Sequence, residues 1–85
     1  MTTAQTPNME NNNAAKIESL TTQIDTINEI ATKQAVAAAA LRGFARFEAD
    51  RAVRLLREKS AELVVERAAA LRLRAELARG LLGAG

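Results

Sequence analysis

The stretch that decides the fold is QAVAAAALRGFARF, residues 34–47, in which an alanine run leads into an Arg-Gly pair and two phenylalanines. The sequence on both sides is predicted to be helical, so Gly43 determines whether the chain forms one long helix or two. One glycine inside a helix costs only about 1 kcal/mol relative to alanine. Since strong helix formers lie on both sides, we favour a long helix, continuous or kinked near Gly43. A two-helix hairpin with its hinge at Gly43 is the alternative.

The composition is typical of an all-α protein. Apolar residues make up 48% of the 85 residues and are mostly alanine and leucine, with two aromatic residues and one proline. Residues that favour strands are scarce. A chain this short buries too little surface for a robust compact monomer, and without cysteine it has no disulfide to stabilise it. We therefore expect an oligomeric coiled coil or helical bundle.

Changes in composition divide the chain into five segments. Residues 1–12 are polar and lack apolar periodicity, so they are predicted to form an extended tail. Residues 13–41 are predicted to form an isoleucine-based helix, 42–43 a hinge, 44–80 an Arg/Ala/Leu-rich helix and 81–85 a C-terminal cap. The Asn11–Asn13 run offers side chains suited to capping the start of the first helix.

Two heptad patterns predict contacts between helices. In the first helix the apolar residues follow the 3-4-3 spacing of a coiled-coil seam. In the second, a seven-residue series begins at Leu56, four residues out of phase with Ala45 and Ala52, which predicts a local unwinding of the supercoil. The predicted interface consists of Ile17, Leu20, Ile24, Ile27, Leu41, Phe44, Phe47, Leu56, Leu63 and Leu77.

The second helix is apolar on more than one face. Several of its large apolar residues point away from the series at Leu56, which is typical of a helix with more than one neighbour. These residues are Val53, Leu55, Val64, Val65, Leu71 and Leu73.

Charge differs between the two parts of the chain. Residues 1–40 have two lysines and four acids, a net charge of −2, whereas residues 41–85 have ten basic and six acidic residues, a net charge of +4. All nine arginines lie in the second part. On a helical projection most of its acids fall on one flank and most arginines on another, which favours pairing with a neighbouring helix of complementary charge.

The residue types present argue against catalysis. The chain has no His, Cys, Trp or Tyr, and therefore lacks most general bases active near neutral pH, the thiol nucleophile and the common transition-metal ligands. It has no phosphate-binding glycine-rich loop and no nucleophile elbow. We predict no enzyme activity, no catalytic residue, no metal site and no cofactor.

A structural or interaction role is the leading hypothesis: a small helical subunit that self-assembles into a homo-oligomer or docks into a larger assembly, such as a virion component, a filament subunit or a scaffold. The arginines make a nucleic-acid-binding or packaging protein the alternative, and a membrane-surface amphipathic helix is a third hypothesis.

The N-terminus lacks the pattern of a secretory signal peptide, and the longest run free of polar side chains has seven residues, at 35–41. A bilayer-spanning helix needs about 20. We therefore expect no transmembrane segment and a cytoplasmic or leaderless protein, with a virion or an exported assembly as alternative locations.

Overall fold

The computed structural model describes residues 5–83, and these residues form a hairpin of two helices. Helix α1 spans Gln5–Ala38 and helix α2 spans Gly43–Gly83. The helices pack side by side in a rod of 63 × 17 × 15 Å. The described residues contain no strand, so the all-α prediction is confirmed.

The favoured long helix is wrong, because the chain reverses between Ala38 and Gly43. A connection of this length is typical of an αα-hairpin. The long helix was favoured because local helix propensity outweighs the cost of one glycine. Propensity, however, is a weak effect beside the burial of two apolar seams against each other. The reversal is therefore stabilised by contacts that lie far from the turn.

The turn combines a tightened helix end with a left-handed glycine. Leu41 N–H donates to the Ala38 carbonyl at 2.9 Å, and Ala40 N–H donates to the Ala37 carbonyl at 3.2 Å. These bonds between residues three apart, as in a 3₁₀ turn, satisfy carbonyls at the end of α1. Gly43 then has a φ of +64°, and no other described residue has a positive φ. This backbone conformation costs an L-residue with a Cβ about 1–2 kcal/mol.

The helix bounds differ from the predicted segments. Helix α1 begins at Gln5, so residues 5–12 are helical and do not form the extended tail that was predicted. Pro7 is compatible with this because it falls in the first turn, where backbone N–H groups have no partner within the helix. Helix α1 ends at Ala38, earlier than residue 41, and α2 continues to Gly83, into the predicted cap. Residues 1–4 and 84–85 lie outside the described residues.

The seam of α1 follows the heptad pattern except at Gln34, which is exposed, while Ala35 beside it is half-buried. Leu20 and Ile24 are each only 4% exposed and Ala31 is fully buried. The small residues Ala31 and Ala38 lie in the half of α1 nearer the turn, where their size allows the helix axes to approach closely. The buried and half-buried seam positions of α1 are Asn13, Ile17, Leu20, Ile24, Ile27, Ala31 and Ala38.

The seam of α2 keeps one phase, so the predicted unwinding is wrong. Ala45 and Ala52, the residues that suggested a phase shift, are exposed. Because the chain reverses at the turn, a heptad series from α1 cannot be extended into α2. The seam of α2 consists of Ala49, Val53, Leu56, Ser60, Leu63, Arg67, Ala70 and Leu77.

Substituting Gly43 tests the turn directly. We expect Gly43→Ala to lower the free energy of unfolding by about 1–2 kcal/mol, because alanine is strained at positive φ. Gly80→Ala is the matched control, since a Cβ at either glycine meets no atom within 4 Å and only Gly43 has a positive φ. Gly80→Ala should raise stability, by up to about 1 kcal/mol. Urea unfolding followed by circular dichroism at one protein concentration measures both, and stabilisation by Gly43→Ala would contradict the hairpin.

Candidate interaction surfaces

A buried hydrogen bond joins the helices at the end of the hairpin opposite the turn. Asn13 is 6% exposed, and its Nδ2 donates to the backbone carbonyl of Ala70 at 2.9 Å. Asn13 therefore lies inside α1 as a seam residue and does not cap the start of the helix, as the sequence had suggested. A polar residue in an apolar seam fixes register, because any slip leaves its amide buried without a partner.

A second polar contact crosses the seam through Thr21. Its hydroxyl donates to the carbonyl of Ile17 at 2.9 Å and accepts from Nη1 of Arg67 at 3.3 Å. Arg67 is half-buried at a seam position of α2, where its stem can pack along the seam while its guanidinium reaches the rim. Sequence reasoning missed Arg67 and Asn13 as seam residues because neither is apolar. The 3-4 spacing of their positions was the available signal.

The predicted interface residues fall into two groups. Seven are buried or half-buried between α1 and α2 of the same chain, and Leu20, Ile24 and Leu63 form one cluster with Ile27 packed against it. These seven are Ile17, Leu20, Ile24, Ile27, Leu56, Leu63 and Leu77. The other three, Leu41, Phe44 and Phe47, are exposed at or next to the turn.

The exposed residues near the turn form a small apolar tip. The rings of Phe44 and Phe47 stack with centroids 6.4 Å apart and an angle of 21° between their planes. Phe44 is 73% exposed, Phe47 58% and Leu41 40%. The two rings thus contact each other while most of their surface faces solvent.

A row of exposed apolar residues lies along one side of the second half of α2. Its residues follow an unbroken 3-4-3-4-3 spacing that is displaced by one residue from the series of the seam. All of them are exposed. The spacing gives α2 a second heptad stripe that α1 does not cover. We call this surface the lateral face; it consists of Ala61, Val64, Ala68, Leu71, Ala75 and Ala78.

Charged residues around α2 are segregated relative to the lateral face. Arg72 and Arg79 lie along its outer border and Arg67 and Arg74 along the border nearest the seam, whereas the glutamates of this region lie mostly on the opposite side of α2. The ion pairs found among the described residues each join residues three or four apart on one helix, as in Lys33–Glu29 at 3.2 Å. The opposite net charges of α1 and α2 are therefore not used for ion pairs between these two helices.

Residues 5–83 contain no group of three or more metal-ligating side chains. A groove of about 260 Å³ beside Asn12, Asn13, Lys16 and Leu73 has one titratable side chain, a lysine, and so lacks an acid–base pair. Neither helix, over the part that the structure describes, has an apolar segment that could cross a bilayer.

Comparisons with known proteins found no relative from which a function could be proposed. No protein-family model, no curated protein and no solved structure matches this chain.

The buried amide of Asn13 can be tested against its exposed neighbour. We expect Asn13→Ala to lower the free energy of unfolding by about 0.5–1.5 kcal/mol, because the bond to the Ala70 carbonyl is lost. Asn12→Ala is the matched control on the same helix turn, and it should be neutral or slightly stabilising because alanine is the better helix former. Chemical unfolding at one protein concentration compares them, and equal effects would show that the bond contributes nothing.

Proposed function

We propose that this protein is a non-enzymatic structural or interaction subunit that self-assembles or docks into a larger assembly through the exposed apolar surface of α2. The observation that carries the proposal is the exposure of seven large apolar side chains on this helix, with Val65 at 69% and Leu55 at 56%. The seven are Phe44, Phe47, Leu55, Val64, Val65, Leu71 and Leu73. Large apolar side chains exposed on several sides of one helix are typical of a helix that has more than one neighbour.

The thinness of the core supports the same proposal. Among residues 10–80, whose burial the structure describes, only six apolar residues are buried, and three of them are alanines. Two helices sharing one narrow seam bury little apolar area, so association is the available source of further stability. A virion component, a filament subunit and a scaffold are the kinds of assembly in which such a hairpin would act.

The opposite net charges of the two helices support association with neighbouring molecules. Helix α1 has two lysines and four acids, a net charge of −2, whereas α2 has nine basic and six acidic residues, a net charge of +3. Because the hairpin itself forms no ion pair between its described helices, these charges are available to neighbouring molecules. Complementary charge mainly selects the partner and its orientation, and apolar burial supplies most of the affinity.

Light scattering over a range of concentrations tests the proposal. We expect a mass above the 9.1 kDa of the single chain. Leu71→Glu should reduce association strongly, because it places a charge in the apolar surface of α2. Ile30→Glu is the matched control: Ile30 is 40% exposed and Leu71 37%, but Ile30 lies on α1. A helical wild-type monomer at every concentration would refute self-assembly.

Nucleic-acid binding or packaging is the second candidate function. The observation in its favour is that eight of the nine arginines are exposed, Arg67 being half-buried, and arginine is well suited to phosphate contacts. Six acids interleave with them along α2 and weaken the positive field. If this candidate is correct, affinity for DNA or RNA should fall steeply with salt, as counterion release requires. Gel-shift titrations at several salt concentrations measure this, and the absence of a shift at low salt would eliminate the candidate.

A further inference from the structure

We propose that a second copy of this chain binds the lateral face, with the two α2 helices antiparallel and related by a two-fold axis that passes between Ala68 and Leu71. This inference rests on the proposed function, because it names the partner and the geometry of the association. The lateral face runs from Ala61 to Ala78, about 26 Å at 1.5 Å per residue.

The lateral face is complementary to itself in one antiparallel register. Leu71 then lies opposite the partner's Ala68, and Val64 lies opposite the partner's Ala75. At the two ends, Ala61 faces the partner's Ala78. Each large side chain meets an alanine, which is the alternation that lets layers of side chains interdigitate. A two-fold contact requires a surface that is complementary to itself, since both copies contribute the same residues and these meet in reverse order.

The same register pairs opposite charges along the outer border. Glu58 lies one turn before the face and Arg79 just beyond its other end, and both are exposed. In the antiparallel pair Glu58 lies beside the partner's Arg79, and the two-fold axis produces this pair twice. Within one chain these residues are 21 positions apart on one helix, about 32 Å, so they cannot pair with each other.

The border nearest the seam is basic in α2 and is balanced by α1. Arg67 and Arg74 lie there, and Arg67 contacts Thr21 of α1. Glu18 and Asp25 are three residues before and four residues after Thr21, so they share its side of α1. Acidic groups are thus present next to the border where two copies would bring their arginines together.

One helix per copy buries less area than the roughly 1,600 Å² of a standard interface. We therefore expect a reversible dimer whose population depends on concentration. Changing the charges at the contact, or cross-linking the dimer covalently, detects such a weak association.

A charge-swap series tests the register. Arg79→Glu places two glutamates together at each pair, and we expect it to raise the dissociation constant of the dimer about 5- to 30-fold. The double variant Glu58→Arg/Arg79→Glu should restore wild-type association, because it forms each intermolecular pair again with the two charges exchanged. Arg51→Glu is the control, because it changes net charge equally but lies outside the contact. Analytical ultracentrifugation measures all four proteins, and failure of the rescue overturns the proposal.

Engineered cysteines test the orientation in a chain that has none of its own. Ala61→Cys and Ala78→Cys variants, mixed and oxidised, should give mostly the 61–78 heterodisulfide, because these positions face each other only in the antiparallel pair. Homodisulfides between two copies of Ala61→Cys would indicate parallel helices and refute the proposal. If the wild type associates but these tests fail, only the register is wrong; if it stays monomeric, self-association itself fails.

Discussion

The reversal at Gly43 is the constraint on which the rest of the structure depends. Neither α1 nor α2 can bury its seam alone, and without cysteine no disulfide cross-links the two helices. By adopting a φ of +64°, Gly43 lets the isoleucines of α1 meet the leucines of α2 within one molecule. The register of every layer follows from that turn and from the amide of Asn13, which holds the other end.

Sequence reasoning recovered the helical fold and most of the apolar seam because both depend on local periodicity. Ile17 through Ile27 and the series at Leu56 follow coiled-coil spacing, and the structure buries or half-buries both. The hairpin was the less favoured alternative, because choosing it requires the energy of contacts between residues that lie far apart in the sequence, such as Ile24 and Leu63. The alanines at 37–40 carry no information about that energy.

The polar members of the seam were not found for a different reason. Asn13 and Arg67 are residue types that usually lie at the surface, so an apolar pattern passes over them, although their positions continue the 3-4 spacing. The lateral face was visible in part: Val64 and Leu71 were identified as pointing away from the main series. The alanines at 61, 68, 75 and 78, which complete the face, do not stand out in a chain so rich in alanine.

The Asn13–Ala70 bond also has a consequence for how the hairpin opens. It joins residues 57 positions apart. The entropic cost of closing a loop grows with its length, so this cost is smallest for contacts next to the turn. The hairpin is therefore expected to close from Gly43 outward, like a zipper, and to fray from the opposite end. The side-chain amide of Asn13 opposes this fraying. Backbone amide hydrogens near Asn13 should therefore exchange through local opening, at a frequency set by its side chain.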